Sequence, residues 1–312
     1  MFENSYLGLA VSNLCGGKCL FCPKTRGKRL PQTMTFELAR KVIDDAVGLG
    51  VRKFSIGDNG DALICPAFLG IARYLREKCS DGHITLVTNF QNLTPDLSTI
   101  LLSERLVDAV VVNIDGATAE SYERCKGLNY DNMCRNVEAF LSLRDRFRSP
   151  AELRIDSVPY AWYRACVMNA FGRLPECLEK DDLPYDGNSI YKKWRPKLRD
   201  TDQISRATPY AWALRELCTK DPKQFECFFL KDIEEVGYIH IAPNGDFYPC
   251  CWMDDQTIVL GNLAESTIME VVNGEKRRVF IERLKNREYE KIGYPCTKVE
   301  CCRYIGIGKD GP

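Results

Sequence analysis

The sequence predicts an α/β chain in which a parallel sheet is followed by a small hairpin-and-helix unit. Three observations predict it. Short apolar runs alternate with stretches of helical period through the first half. Three thiols, Cys15, Cys19 and Cys22, stand in the loop after the first of those runs. A turn, Pro243-Asn244-Gly245, joins two strand-like runs and opens a second cysteine-bearing stretch.

Taken in order, Tyr6 to Val11 reads as the first strand, and the cysteine loop follows it. Thr35 is placed to cap a helix reaching Gly48 or Gly50, with Phe36, Ala39, Val42, Ile43, Ala46 and Val47 on one face. Arg52 to Ile56 is the second strand, 67–79 the second helix and Ile84 to Thr88 the third strand. A helix opens near Pro95. The valine-rich run Val107 to Ile114 predicts a fully buried fourth strand. A helix over 130–147 leads to a fifth strand, Glu152 to Val158. This alternation means parallel strands, whose ligands gather at their carboxyl ends.

Residues 160–225 are broken by Pro159, Pro175, Pro184, Pro196 and Pro209. A sixth strand is expected near 183–185. Trp162, Tyr163, Trp194 and Trp212 interleave with Arg164, Lys192, Lys193 and Arg195. Such a mixture lines a polar pocket or is simply core beneath a charged surface.

Composition narrows the function classes. Lys plus Arg and Asp plus Glu both number 43, so no basic footprint for nucleic acid exists. No run of 18 apolar residues and no basic-then-apolar leader occur, which excludes a helical membrane span and points to the cytoplasm. In that compartment sixteen cysteines imply metal ligation and reduced thiols, not a disulfide framework.

The motif Cys15-Gly-Gly-Lys-Cys19-Leu-Phe-Cys22 has the spacing C-x3-C-x2-C. Thiolates are soft ligands suited to iron–sulfur clusters and to zinc. A four-iron cluster normally takes four cysteines, so three in one loop leave one iron open to another ligand. Phe21 is placed to shield the cluster from water. Half of a zinc site is the alternative, but zinc sites usually pair C-x2-C motifs or add histidine, and this chain has only His83 and His240.

This motif resembles the signature of the radical S-adenosylmethionine (SAM) superfamily, C-x3-C-x-aromatic-C after the first strand of a partial β/α barrel. The resemblance implies that Cys15, Cys19 and Cys22 ligate a 4Fe–4S cluster whose open iron chelates SAM. It implies electron-driven cleavage of SAM to a 5′-deoxyadenosyl radical, fed by a donor such as flavodoxin or ferredoxin. Three further segments are similar to family motifs. Gly57-Asp58-Asn59-Gly60-Asp61 stands where Gly-Gly-Glu-Pro holds the SAM amino group, with Gly60 and Asp61 in the binding positions and Ala62 replacing proline. Thr88-Asn89 fits Thr-Asn-Gly, with Phe90 for glycine. Asn113-Ile114-Asp115-Gly116-Ala117-Thr118 resembles Ser-x-Asp-Gly-Ala-Thr, and Asn113 and Asp115 are the residues implied near ribose and methionine. Cys125-Lys126-Gly127 follows in the place of Ile-Arg-Gly.

From Cys227 onward the chain resembles the SPASM/twitch extension of these enzymes. Gly237 to Ile241 and Asp246 to Tyr248 form the hairpin, and an amphipathic helix is expected from about Ser266 to Lys285. A full SPASM domain needs a C-x2-C-x5-C-x3-C run that is missing. The shorter twitch form needs four ligands, assigned to Cys227, Cys250, Cys296 and Cys302 (with Cys301 the competitor) around one auxiliary 4Fe–4S cluster. A zinc knuckle on the same cysteines is the alternative. Cys251 is left over. A thiol gives up hydrogen to a carbon radical, so Cys251 is a candidate hydrogen-atom donor, or else a buried hydrophobe or the actual ligand.

The resulting expectation is a partial (β/α)6 TIM-like barrel over 1–220 and a twitch domain over 221–312. Fourteen residues before Cys15 leave no room for a peptide-recognition domain, which favours a small-molecule substrate. Short twitch-bearing relatives oxidise or epimerise amino-sugar and aminocyclitol alcohols. An epimerase using Cys251 is expected, with a dehydrogenase or a peptide-modifying maturase as competing readings.

Overall fold

The structure is a computed structural model that describes residues 2–20, 22, 30–57, 59–157, 168, 172–174, 187–206, 223, 226–227, 229–250, 258–294 and 296–298. Phe21, Cys251 and Cys302 lie outside the described residues, as do the strand expected near 183–185 and Trp162, Tyr163 and Trp212.

In chain order the elements are β1 (Tyr6–Leu9), α1 (Phe36–Gly48), β2 (Lys53–Ile56), α2 (Phe68–Lys78), β3 (His83–Val87), α3 (Pro95–Ser103), β4 (Ala109–Asn113), α4 (Ala119–Lys126), α5 (Tyr130–Arg146) and β5 (Glu152–Ser157). Then come α6 (Gly187–Trp194), β6 (Gln203–Arg206), α7 (Leu230–Glu234), β7 (Tyr238–Ile241), β8 (Asp246–Tyr248), β9 (Gly261–Asn262), α8 (Ile268–Asn273), α9 (Glu275–Lys285) and α10 (Tyr289–Ile292). The strands form one sheet in the order β6-β5-β4-β3-β2-β1-β7-β8-β9. Every pairing from β6 to β7 is parallel, and β8 and β9 continue it antiparallel. This is the expected α/β architecture, a partial barrel with a hairpin and helices behind it.

Local chemistry accounts for the helix starts. Thr35 and Thr94 accept from the amides of Leu38 and Leu97, and Pro95 takes the first helical position of α3. Thr118 and Ser121 form a reciprocal capping box at α4. The inner face of α1 (Ala39, Val42, Ile43, Ala46) packs into the core with Leu7, Leu9, Phe54 and Ile56 of the sheet.

Three expectations change. The fourth strand is not buried on both faces: Val110 and Val112 are buried, but Val111 and Asn113 are half-buried, because one sheet face looks toward the barrel mouth. The long helix expected to run from Ser266 is two helices, because extended Gly274 (φ −67, ψ 153) ends α8 and opens α9. The sixth strand is found at Gln203–Arg206, where it pairs with β5. Its entry is fixed by a buried ion pair: the Arg144 guanidinium meets Asp202 through both nitrogens at 2.6 and 2.8 Å. Asp202 also accepts from the amides of Leu153 and Arg199, both at 2.8 Å.

Candidate functional site

The cysteine loop leaves β1 at its carboxyl end and is held from two sides. The amides of Lys18 and Leu20 donate to the carbonyls of Lys126 (2.7 Å) and Cys125 (3.0 Å) at the end of α4. The Leu14 carbonyl accepts from the Asp61 amide at 2.8 Å, joining the loop to the turn after β2. Within it, the Gly17 amide points at Cys15 Sγ (3.3 Å), and Cys22 N donates to the Cys19 carbonyl (3.1 Å). Burial pushes the Cys19 thiol up, against an opposing pull from Lys126. Among the described residues no three His, Cys, Asp or Glu side chains close on a single metal ion.

The turn after β2 needs glycine at its first position. Gly57 has φ +115, and a Cβ there would meet the Val87 carbonyl at 2.4 Å. Beyond it Asp61 is buried, and its carboxylate accepts from Leu63 N (3.0 Å), Asn89 N (3.1 Å) and Thr88 Oγ1. Asp61, expected to face the SAM amino group, sets Thr88 and Asn89 through these bonds. Asn89 in turn points Nδ2 at Cys15 Sγ, 3.5 Å away. Asp61, Thr88, Asn89 and Cys15 thus form one connected set at the carboxyl ends of β1, β2 and β3. Gly60 is partly exposed in the same turn.

Asp115 too has a protein partner. It is buried and paired with Lys126 at 2.7 Å, both side chains being at most 6% exposed. Burial would lower Lys126, but Asp115 beside it holds the ammonium well above its ordinary value. Gly116 permits this arrangement: its missing Cβ would meet the backbone of Tyr122 at 2.3 Å, so α4 packs directly on the loop. Lys126, which the pattern at 122–127 signals through its place before Gly127, is a site residue the sequence-based set omits.

Farther along the sheet the mouth turns polar. Asn113, Asp156 and Ser205 are consecutive register partners on β4, β5 and β6. The Ser205 hydroxyl donates to Asp156 Oδ1. One step back, Arg154 pairs with Glu152 at 3.2 Å.

In the C-terminal part, β7 lies parallel to β1, which places the hairpin against the barrel rather than apart from it. Tyr238, His240 and Tyr248 stack, with ring centroids 3.8 and 5.7 Å apart, and burial pushes His240 down to about 3. The imidazole is therefore neutral. The Tyr248 hydroxyl meets Asn59 Nδ2 of the turn after β2. Cys250, two residues on, is buried and lines a cleft of about 140 Å³ with Phe229, Asp232 and His240. Cys227 and Cys296 both neighbour Tyr289 of α10, whose phenol is pushed up to about 12 chiefly by burial. Burial likewise raises the Cys227 thiol. Of the four expected auxiliary ligands, Cys227, Cys250 and Cys296 fall in this C-terminal part.

Comparison with known proteins decides the family. A model of the Radical SAM superfamily matches residues 9–146, and one of the SPASM iron–sulfur cluster-binding domain matches 233–302. The chain is a radical SAM protein with a SPASM domain. These two domains imply a SAM-binding 4Fe–4S cluster, SAM itself and an auxiliary cluster. Among solved structures, BtrN in complex with AdoMet and 2-DOIA aligns with a TM-score of 0.57 at 16% identity, covering 93% of this chain and 90% of that one. SuiB of Streptococcus suis bound to the precursor peptide SuiA gives 0.58 at 16%, covering 96% and 71%. Native anSMEcpe with bound AdoMet gives 0.59 at 18%, covering 96% and 90%. At such identities the likeness is one of fold. The mycofactocin maturase MftC of Mycobacterium tuberculosis is 28% identical over 116 residues, 36% of this chain and only 28% of MftC's length. Among the described residues no helix of this radical SAM chain is long and apolar enough to cross a membrane.

Proposed function

We propose that this radical SAM enzyme abstracts hydrogen from a carbinol C–H of a small polar molecule of the amino-sugar or aminocyclitol type, and epimerises that carbon. The proposed ligands are Cys15, Cys19 and Cys22 for the SAM-binding cluster, and Cys227, Cys250, Cys296 and Cys302 for the auxiliary cluster. When bound, the first cluster supplies the electron that cleaves SAM into methionine and a 5′-deoxyadenosyl radical. Asp61, through Thr88 and Asn89, orients the loop around Cys15. Lys126 and Asp115 brace the other side of that loop and keep its floor dry.

In this reading Cys251 returns hydrogen to the opposite face of the substrate carbon. The C–H hydrogen leaves with 5′-deoxyadenosine, the S–H hydrogen goes to carbon, and the thiyl radical left on Cys251 takes one electron and one proton. A flavodoxin- or ferredoxin-class reductant supplies that electron as well as the first, so the substrate is neither oxidised nor reduced. The observation that carries the reading is the contact of Tyr248 with Asn59, which holds the strand end three residues before Cys251 against the turn after β2. The polar row of half-buried Asn113 and Asp156 and exposed Ser205 supports a substrate rich in hydroxyls.

Turnover in deuterated water tests the proposal. Deuterium at the inverted carbon, lost in Cys251→Ala while SAM cleavage persists, is the expected result. A ketone product without exchange identifies a dehydrogenase that passes an electron to the auxiliary cluster, a reading supported by the fold shared with the 2-DOIA-bound protein. SAM cleavage that rises only with a peptide identifies a maturase, as the names of SuiA's partner and MftC suggest for those proteins.

A further inference from the structure

Among the described residues, the carboxylates Glu152, Asp115, Asp202 and Asp61 at the ends of the barrel strands each have a cationic or amide partner, and Asp156 does not. Glu152 is matched by Arg154, Asp115 by Lys126 and Asp202 by Arg144. Asp61 is satisfied by an amide–hydroxyl set. Asp156 stands at the carboxyl end of β5, on the half-exposed face, and its one hydrogen-bond partner among the described residues is the Ser205 hydroxyl. A hydroxyl on Oδ1 fixes the plane of the carboxylate without neutralising it. Asp156 is half-buried at the carboxyl end of its strand, so its carboxylate is open to a further partner on that side.

We propose that Asp156, oriented by Ser205, is the anchor for a protonated amine of the substrate, and that Asn113 beside it, in the position the family pattern puts near the ribose of SAM, also reaches a neutral hydroxyl of the substrate. This rests on the small-molecule reading above and gives it a recognition chemistry. An ammonium on a partly desolvated carboxylate makes a charge-assisted hydrogen bond, roughly twice as strong as one from a neutral hydroxyl. The register supplies the second contact. Asn113 and Asp156 are directly opposite on adjacent parallel strands, on one face and about 5 Å apart in the sheet. That separation matches an amino group and a hydroxyl on one edge of a six-membered ring. Asn113 carries both a donor and an acceptor and so accepts either orientation of a hydroxyl. Asp156 selects for positive charge, because a neutral group in its place leaves the carboxylate desolvated without compensation.

The test pairs amines with their deaminated counterparts on the reconstituted enzyme under anaerobic conditions: 2-DOIA against the corresponding deoxyinositol, and glucosamine against glucose. The readout is the concentration that half-saturates stimulation of 5′-deoxyadenosine release. In the wild type at least one amine is expected to half-saturate about 10- to 100-fold lower than its partner. Asp156→Asn, isosteric and uncharged, should reduce that ratio to about threefold or less, through the half-saturating concentration rather than the maximal rate. Ser205→Ala should reduce it partially. Iron content and thermal unfolding should match wild type in both variants, which shows folding and cluster loading to be intact. Equal response to amine and polyol, or a ratio unchanged in Asp156→Asn, overturns the anchor and leaves the carbinol chemistry standing. No response to any member of either series, with SAM cleavage intact, overturns the anchor and the small-molecule reading together.

Discussion

Two buried ion pairs, at opposite ends of the same barrel, do different work. Arg144 and Asp202 meet at the amino ends of β5 and β6, through two nitrogens, with the amides of Leu153 and Arg199 and the Ala151 carbonyl completing the set. Lys126 and Asp115 meet at the carboxyl ends through one contact, beside Cys19. A planar guanidinium fits a carboxylate as a fork and locks geometry, whereas an ammonium is a point charge that tolerates several arrangements. The end of the barrel that needs only to hold carries the fork. The end where chemistry is proposed carries the point charge, within electrostatic reach of a cluster-loop thiol.

The sharpest way to break this contrast is Arg144→Leu, which strands a buried carboxylate. We expect a loss of about 3–5 kcal/mol, read as a fall of roughly 5–15 °C in Tm, with iron content and SAM cleavage per folded molecule unchanged. The pH dependence follows. Burial alone would raise the Asp202 carboxyl, but the hydrogen bonds from Arg144, Leu153 and Arg199 outweigh it and hold it below its ordinary value. A carboxyl depressed in the folded state contributes stability above its unfolded pKa, near 3.9, and loses it as pH falls through the lower folded value. Unfolding monitored below pH 4 should therefore be flatter in Arg144→Leu than in the wild type.

Lys126→Met is the converse experiment and is expected to cost about 3 kcal/mol, somewhat less than the loss of the fork. Its distinguishing effect is on function. With Asp115 uncompensated beside the cysteine loop, reconstitution should yield less iron at Cys15, Cys19 and Cys22, and SAM cleavage should fall more than tenfold. A variant that is destabilised but cleaves SAM normally would show that both ion pairs are merely structural.

How much of this was legible beforehand follows the range of the interactions. Thr35, Thr94 and Pro95 announce their helices because capping is settled within four residues. The cysteine loop and the Asn244-Gly245 hairpin are equally local. Thr118 to Gly127 carries the signals of α4 as well, a capping box and a terminal glycine, although the same residues also read as a motif. Longer-range features are not written locally. β6 alternates no apolar residues, because Gln203 and Ser205 face the open mouth, so its strand character comes from pairing with β5. Arg144 finds Asp202 across 58 residues. Asp61 and Asp115 sit where the family pattern predicts ligand-facing carboxylates, yet each has a protein partner that only the fold brings to it. The parallel pairing of β7 with β1 is likewise tertiary: a hairpin motif fixes its own two strands and says nothing about which sheet receives them.

That last pairing sets up the smallest and most discriminating change, Tyr248→Phe. Tyr248 belongs with neither ion pair. Its ring stacks on neutral His240, inside the sheet, while its hydroxyl touches Asn59 at the mouth. Phenylalanine keeps the stack and the buried area and removes one hydrogen bond, so stability should fall by only about 0.5–1.5 kcal/mol. If the contact merely closes the sheet, nothing else changes. If it aligns the hairpin end, and with it Cys250 and Cys251, against the turn after β2, the substrate radical waits longer for its hydrogen atom. The expected signature is unchanged iron and unchanged SAM cleavage, with fewer product molecules formed per 5′-deoxyadenosine released. Equal coupling in Tyr248→Phe and wild type would assign the hydroxyl to packing alone. It would also remove the structural support for a working link between the hairpin and the turn after β2.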